Sequence, residues 1–373
     1  MSTTKRVKTI TCHNVYNIGA SLQAYALTKY LKNIGCEAEI INYIPDYLRH
    51  YRLLGCNSPA YNKPLLRQLY QLAKLPQRIM ARLSKRKKRF DSFTKKYLPV
   101  TSKVYRTNNE LKADVPYADV YFAGSDQIWN TLFPNGKDPS FYLDFAPEGS
   151  IRASYAASFS TDKIYDGYEA QVSNWLKRLD YVSVRESSGV ALAKKLGVDF
   201  PVQVLDPVFL LNKEQWRGLV SDLNTNYENE YILVYDFEQS SHLESFVKTL
   251  AKENKLKIFS VLPCTYCDSS FENSGPLEFL DLIENAAFVV SNSFHATAFS
   301  IIFEKQFFVF NREEAINSRM HDILQLFSLD DRIITDNNAA SENEINYQST
   351  KKILDECILK SKDYIKHIVF DSK

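Results

Sequence analysis

Short apolar runs alternate with segments of helical period along most of this chain, and that alternation limits the fold more than any other feature. Val7–Thr11 is β-prone, and a loop follows from Cys12 to Gly19. Leu22, Ala26, Leu27, Tyr30 and Leu31 then recur with the 3.6-residue period, which predicts a helix over about 20–33, stopped at Gly35. Ala38–Tyr43 reads as a second strand, ended by Pro45. Strand, crossover helix and strand make a βαβ unit, the seed of a parallel sheet. Further strands are expected at Val120–Phe122, Ile151–Ala157 and Tyr181–Val184, with helices at Val172–Leu179 and Ser187–Leu196. Val204–Asp206 and Pro207 mark a crossover into a second half. That half repeats the pattern, with strands at Tyr231–Tyr235, Lys257–Val261, Ala287–Val290 and Phe307–Phe310. Helices are expected there at His242–Glu253, Pro276–Asn285 and Ala296–Phe303, and a last one at Ser349–Val369. The 373 residues, 45% hydrophobic, suffice for two cores, so the expectation is two α/β domains with parallel sheets.

Residues 65–93 break the rhythm with a helical insert, expected to be broken or kinked near Pro76. Its second part crowds Arg82, Lys85, Arg86, Lys87, Lys88 and Arg89 together. The run reads either as a solvated helix face or as a contact with anionic lipid headgroups or a diphosphate-linked substrate. The net charge is only +2, which argues against nucleic-acid binding. Tyr and Phe, 23 of each, suit either an aromatic core or sugar recognition. Of six cysteines only Cys264 and Cys267 have suggestive spacing, and they are expected to be free thiols in a reducing compartment. No metal site is expected. The N-terminus reads as no leader and no apolar run reaches the ~20 residues of a membrane span, so a soluble cytoplasmic location is expected.

In open parallel sheets ligands sit beyond the carboxyl ends of the strands, so the loops there are the places for chemistry. The first, Asn14–Gln23, opens a helix, and Gly19 permits close approach of an anion or a sugar hydroxyl to backbone amides. The second, Gly124–Asn130, offers Asp126 to orient or deprotonate a hydroxyl, Asn130 to bind one and Trp129 to stack on a sugar face. The bland alternative is a helix cap with Trp129 in the core. In the third, Arg185 at a strand end suits a phosphate or carboxylate, or else pairs with Glu186 at the surface. In the fourth, Ser291-Asn292-Ser293-Phe294-His295 leads from a strand into a helix, placing a histidine where it can donate to a phosphate or act as a general acid. Lys305, Arg312 and Arg319 lie downstream as further cations.

Taken in order and spacing, these segments resemble the polysaccharide pyruvyl transferase family over nearly the whole chain. The resemblance runs through Asn17–Leu27, Gly124–Asn130, Ser154–Phe159, Val184-Arg185-Glu186, Leu205–Leu211 and Ser291–Phe299. It implies a fold similar to GT-B glycosyltransferases, with two Rossmann-like domains facing across a cleft. The expected division is an acceptor-side domain over 1–205, a donor-side domain over 206–345, and a C-terminal helix within 346–373 that packs back on the first domain. The implied activity moves pyruvate from phosphoenolpyruvate, a co-substrate rather than a cofactor, onto two hydroxyls of a saccharide, typically lipid-linked, as a cyclic ketal. His295, Asp126 and Arg185 take the catalytic roles in this reading. Ser291, Ser293, Phe294, Arg312 and Arg319 would hold the donor, and Asn17, Gly19, Gln23, Ser125, Gln127, Trp129 and Asn130 the acceptor. A peripheral membrane contact would use Arg82–Arg89. Ser293 departs from the family, whose members often carry Arg two residues before the motif histidine; either another cation such as Arg312 or Arg319 replaces it, or the donor differs. The rival readings are a nucleotide-sugar glycosyltransferase in the same kind of cleft and a non-catalytic saccharide-binding protein.

Overall fold

The central strands are short, aliphatic and aromatic, and every strand pairing is parallel. Strands buried on both faces need no polar alternation, which is why the runs VYFA and YILVY lie wholly inside. The computed structural model describes residues 4–49, 64–223, 229–312, 318–335 and 343–372.

The first half contains β1 (Arg6–Ile10), α1 (Ile18–Asn33), β2 (Glu37–Ile40), α2 (Pro64–Leu83), α3 (Lys85–Tyr97), α4 (Asn108–Ala113) and β3 (Val120–Ala123). It continues with β4 (Ile151–Ser154), α5 (Glu169–Leu176), β5 (Ser183–Val184), α6 (Ser187–Lys195) and β6 (Val202–Gln203). Its sheet runs β2-β1-β3-β4, and bridges from Ala153 to Tyr181 and from Ala157 to Val184 bring the β5-β6 pair alongside. The second half contains α7 (Lys213–Val220), β7 (Tyr231–Tyr235), α8 (Ser241–Asn254), β8 (Lys257–Ser260), β9 (Ser269–Ser270) and α9 (Pro276–Glu284). There follow β10 (Phe288–Ser291), α10 (Phe294–Ile302), β11 (Gln306–Phe310), α11 (Ser318–Leu326), β12 (Ile333–Ile334) and α12 (Tyr347–Lys366). The second sheet runs β12-β11-β10-β7-β8-β9, the Rossmann strand order. Strand order reverses between β1 and β3 in one sheet and between β7 and β10 in the other, so each half has one topological switch point where a crevice opens.

Two helices join the halves. α1 is capped by Asn17, whose side chain accepts from the Ala20 amide, and it is buried along most of its length. Its Tyr25 ring lies 5.7 Å from that of Trp216 on α7. α12 crosses both sheets: Tyr347 donates to the Ser300 carbonyl at 3.3 Å, while Ser361 and Tyr364 bond Leu205 and Ser154 of the first half at 3.0 Å.

Three expectations need correction. The insert does not break at Pro76, which stays inside α2; it breaks at Ser84, whose hydroxyl accepts from the Lys87 amide and so starts α3 afresh. Helix α10 starts at Phe294 rather than Ala296, because Ser293 supplies the N-cap. Cys264 and Cys267 are not free thiols but a disulfide, since the turn after β8 sets their Cα atoms 5.7 Å apart. Cys12, Cys36 and Cys357 are free; Cys56 lies outside the described residues.

Candidate active site

The two switch points face each other and enclose a small cleft. Asn17 and Gly19 line it from the start of α1, and Asp126 and Gln127 from the loop after β3. Opposite stand Tyr235 and Phe237 after β7, residues 292–295 after β10, Arg312 after β11, and Arg319 with Met320 from α11. The cleft holds about 100 Å³, several times the minimum for a single water molecule.

His295 sits in the first turn of α10 and reaches across to the first half. It is accommodated by Gly19: a Cβ there would lie 2.0 Å from the imidazole Nδ1. On the other side, His295 Nε2 lies 3.7 Å from Asp206 Oδ2. Asp206 is fully buried, and the Val208 amide donates to its other oxygen at 3.1 Å. The same Oδ2 accepts from Arg185 Nη1. Arg185 Nη2 in turn donates to Asp126 Oδ1 at 3.3 Å, and Arg319 Nη1 lies 3.8 Å from that oxygen. Both guanidinium groups lie over Phe294, at 4.6 and 5.7 Å from its centroid. The site is thus a buried chain of alternating charge running from Arg319 through Asp126, Arg185 and Asp206 to His295.

Charges packed this closely set each other's protonation. Burial penalises the Asp126 carboxylate, but Arg185, His295 and Arg319 outweigh it and hold its pKa below the ordinary value. Burial lowers the His295 pKa, and the nearby arginines add to this against the pull of Asp206 and Asp126, so the imidazole is neutral at pH 7. Burial and the neighbouring Arg185 bring Arg319 down to about 10. Arg185 is pushed up: Asp206 and Asp126 more than offset its burial. Among the described residues Arg185 Nε, Arg319 Nε and His295 Nε2 make no hydrogen bond. Arg312 and Arg319, which do line the cleft, are suited to an anion.

The loop after β10 is built from its own polar residues. Ser291 donates to the Tyr235 carbonyl at 3.0 Å and accepts from the Ser293 amide at 2.8 Å. Asn292 donates to Asp236 at 2.7 Å and accepts from the Phe237 amide at 3.0 Å, tying the loops after β7 and β10 together. Asp126 has a left-handed backbone, φ +73°, which Asp tolerates better than most residues and which turns its carboxylate back toward the second half. Gln127 lies against Arg319; in the amide orientation that satisfies both, its oxygen accepts from Arg319 Nη2 at 2.5 Å.

The structure does not bring every expected residue to the cleft. Trp129 is buried, stacks on Tyr142 and donates to the Phe141 carbonyl at 2.9 Å, so no sugar can reach its face. Asn130 is buried and accepts from the Leu132 amide. Ser125 donates to Ala156, and Gln23 is spent on the Ser125 amide and Thr11. These four support the loop from below rather than contact an acceptor. Ser291 likewise buttresses the turn. Arg185 is expected to touch the donor but lies one layer beneath the cleft surface, between two carboxylates. Glu186 is no surface partner: its Oε1 accepts from the amides of Phe159 and Ser160. Asn17, Gly19, Asp126, Gln127, Ser293, Phe294, His295, Arg312 and Arg319 do line the cleft. Arg312 also donates to Glu238 at 3.4 Å.

The sequence does not single out Asp206, Tyr235, Asp236, Phe237, Asn292 or Met320 for the site. Asp206 and Asn292 stand within the segments that carry the family resemblance, which is their signal; Tyr235 and Asp236 lie at the end of an apolar run that carries no such mark. Among the described residues no group of three or more His, Cys, Asp or Glu is arranged to hold a metal ion.

The chain matches the family model described as polysaccharide pyruvyl transferase over residues 17–314. No curated protein matches it. Among solved structures it is similar to an S. aureus MnaA–UDP co-structure, with a TM-score of 0.53, 11% identity, and coverage of 98% of this chain and 96% of that one. It is also similar to a putative UDP-N-acetylglucosamine 2-epimerase from Listeria monocytogenes, with a TM-score of 0.51, 8% identity, and coverage of 99% and 98%. At such identities the likeness shows the fold alone: two Rossmann-like α/β halves facing across a cleft, as in GT-B enzymes.

Proposed function

The chain belongs to the polysaccharide pyruvyl transferase family, and from that membership we propose that it moves pyruvate from phosphoenolpyruvate onto two hydroxyls of a lipid-linked saccharide. The observation that carries this reading is the small cleft where His295 of one half meets Asp126 of the other beside Arg319 and Arg312. A donor with a phosphate and a carboxylate calls for such cations.

In this reading Arg319 and Arg312 hold the donor's anionic groups, and Ser293 leaves the space that an arginine side chain would fill. Arg185 acts from beneath, by its field and by fixing Asp126. The empty site keeps His295 neutral; the donor's negative charge raises its proton affinity, so the imidazole gains a proton as the donor binds. That proton goes to the donor's methylene carbon, leaving an oxocarbenium-like centre at the phosphate-bearing carbon. One sugar hydroxyl adds there and gives its proton to Asp126. The second hydroxyl attacks the same carbon as the carbon–oxygen bond to phosphate breaks, and phosphate leaves with that hydroxyl's proton. The products are a cyclic ketal and inorganic phosphate, with atoms balanced and no redox step. Asn17 and Gln127 stand where the acceptor hydroxyls would arrive.

Incubation with phosphoenolpyruvate and lipid-linked saccharides, read by mass spectrometry, should show a pyruvyl ketal with equimolar phosphate. Phosphoenolpyruvate should also raise the melting temperature. A rise with nucleotide-sugars alone would replace this reading by a glycosyltransferase.

A further inference from the structure

Helix α2 departs from the usual rule for a surface helix: its apolar stripe points outward. Leu72, Ile79, Met80 and Leu83 are 63%, 43%, 74% and 66% exposed. At 100° per residue, Leu72, Ile79 and Leu83 fall within a narrow sector, with Met80 at its edge. Lys74, Arg78 and Arg82 follow one another at four-residue spacing on the flank and back of that stripe. The 20 residues of α2 contain Arg67, Lys74, Arg78 and Arg82 and no carboxylate. The exposed Lys85 and Lys88 of α3 extend the basic zone. Water is a poor solvent for such a stripe, and a solvated basic helix would have no use for it.

Within the basic run, Arg86, Lys87 and Arg89 are engaged by the protein itself. Arg86 donates to the Ser274 carbonyl at 3.1 Å and to Tyr16, and Arg89 pairs with Glu278 at 2.8 Å, so both hold the second half. Lys87 pairs with Asp91, and Tyr16 donates to Asp91 at 2.9 Å. These contacts fix α3 beside the loop that leads to Asn17 at the cleft. The C-terminal end of α2 leads directly into this helix.

We propose that α2 is an interfacial anchor that lays Leu72, Ile79, Met80 and Leu83 into the surface of an anionic bilayer, with Lys74, Arg82, Lys85 and Lys88 at headgroup level. Charge selects the occupant: an apolar stripe bordered by cations and lacking carboxylates is complementary to acidic lipid. No helix among the described residues is long and apolar enough to cross a membrane, so the contact lies in the surface. The inference does not depend on the reaction proposed above.

The test is co-sedimentation of the full chain with vesicles of phosphatidylcholine alone or mixed with phosphatidylglycerol. The wild type should sediment with the mixed vesicles only, and less so at high salt. The double variant Leu72→Glu/Met80→Glu should stay in the supernatant with an unchanged melting temperature, since both positions face solvent. Each of Lys74→Gln, Lys85→Gln and Lys88→Gln should weaken binding roughly fivefold. Independently, tryptophan fluorescence of Met80→Trp should shift to the blue on mixed vesicles. Failure of the wild type to bind, equal binding to neutral vesicles, or full binding by the double variant overturns the proposal. So does a wild-type dimer that the double variant converts to monomer without any change in vesicle binding, which would make a second copy the occupant.

Discussion

The loops after β3 and β10 look alike in sequence, yet the fold uses them differently. Each follows a buried strand and packs hydrogen-bonding side chains around one aromatic residue. After β3 the chain passes through the left-handed Asp126. Ser125, Trp129 and Asn130 turn inward, leaving Asp126 and Gln127 at the cleft. After β10, Ser293 caps a helix at once, so residues 292–295 all reach the cleft and Ser291 alone turns in. One loop is chiefly a support that presents a single carboxylate; the other is chiefly a working surface. Density of polar residues marks both and does not distinguish them.

The largest expected effect tests the working surface. His295→Ala should lower phosphate release by about 10²–10⁴-fold while leaving the melting temperature nearly unchanged. Retained turnover would remove the histidine from the chemistry.

Next comes a change on the opposite wall. Gly19→Ala places a methyl 2.0 Å from His295 Nδ1, so the ring must turn away, and a loss of roughly 10²-fold is expected from such a displacement. Near-normal turnover would mean that the ring position does not matter.

A smaller effect is the pH dependence of donor binding. The folded, empty cleft holds the His295 proton less tightly than the unfolded chain does. This contribution to stability is present above the unfolded pKa, about 6.5, and is lost as pH falls below it. Donor binding reverses the preference, so affinity for phosphoenolpyruvate should rise by up to about tenfold per pH unit on acidification, with proton uptake. Calorimetric titration in buffers of different ionisation heat measures that uptake, and in His295→Gln it should vanish. Uptake that persists in the variant would place the proton elsewhere.

The smallest effect on catalysis is expected in the supporting loop. Trp129→Phe loses the bond to the Phe141 carbonyl and should cost about 1–3 kcal/mol of stability with KM for the saccharide unchanged. A raised KM at unchanged stability would return Trp129 to the acceptor site.

Most strands and helices were legible because apolar periodicity is local: the runs at 120–122, 231–235 and 307–310 need no partner to be recognised. The helix ends were less so. The start of α10 at Phe294 and the break at Ser84 depend on single serine caps that sequence alone does not separate from ordinary turn residues. His295, Asp126 and Arg185 were legible as candidates by their place after strands. Asp206 was not, because its importance comes from Arg185 and His295 converging on one carboxylate from two halves of the molecule.

By itself the sequence determined the family, the alternation that makes parallel sheets, and the loops that face a cleft. Each rests on the order of residues along one strand, loop or helix. Only the tertiary structure decided which polar side chains are tools and which are supports, and why Gly19 has no side chain. It also decided that Arg86 and Arg89 of the basic run tie the two halves together while Leu72, Ile79, Met80 and Leu83 of α2 are left outside. Those outcomes depend on what lies opposite each residue across the cleft, and that neighbour is remote in sequence.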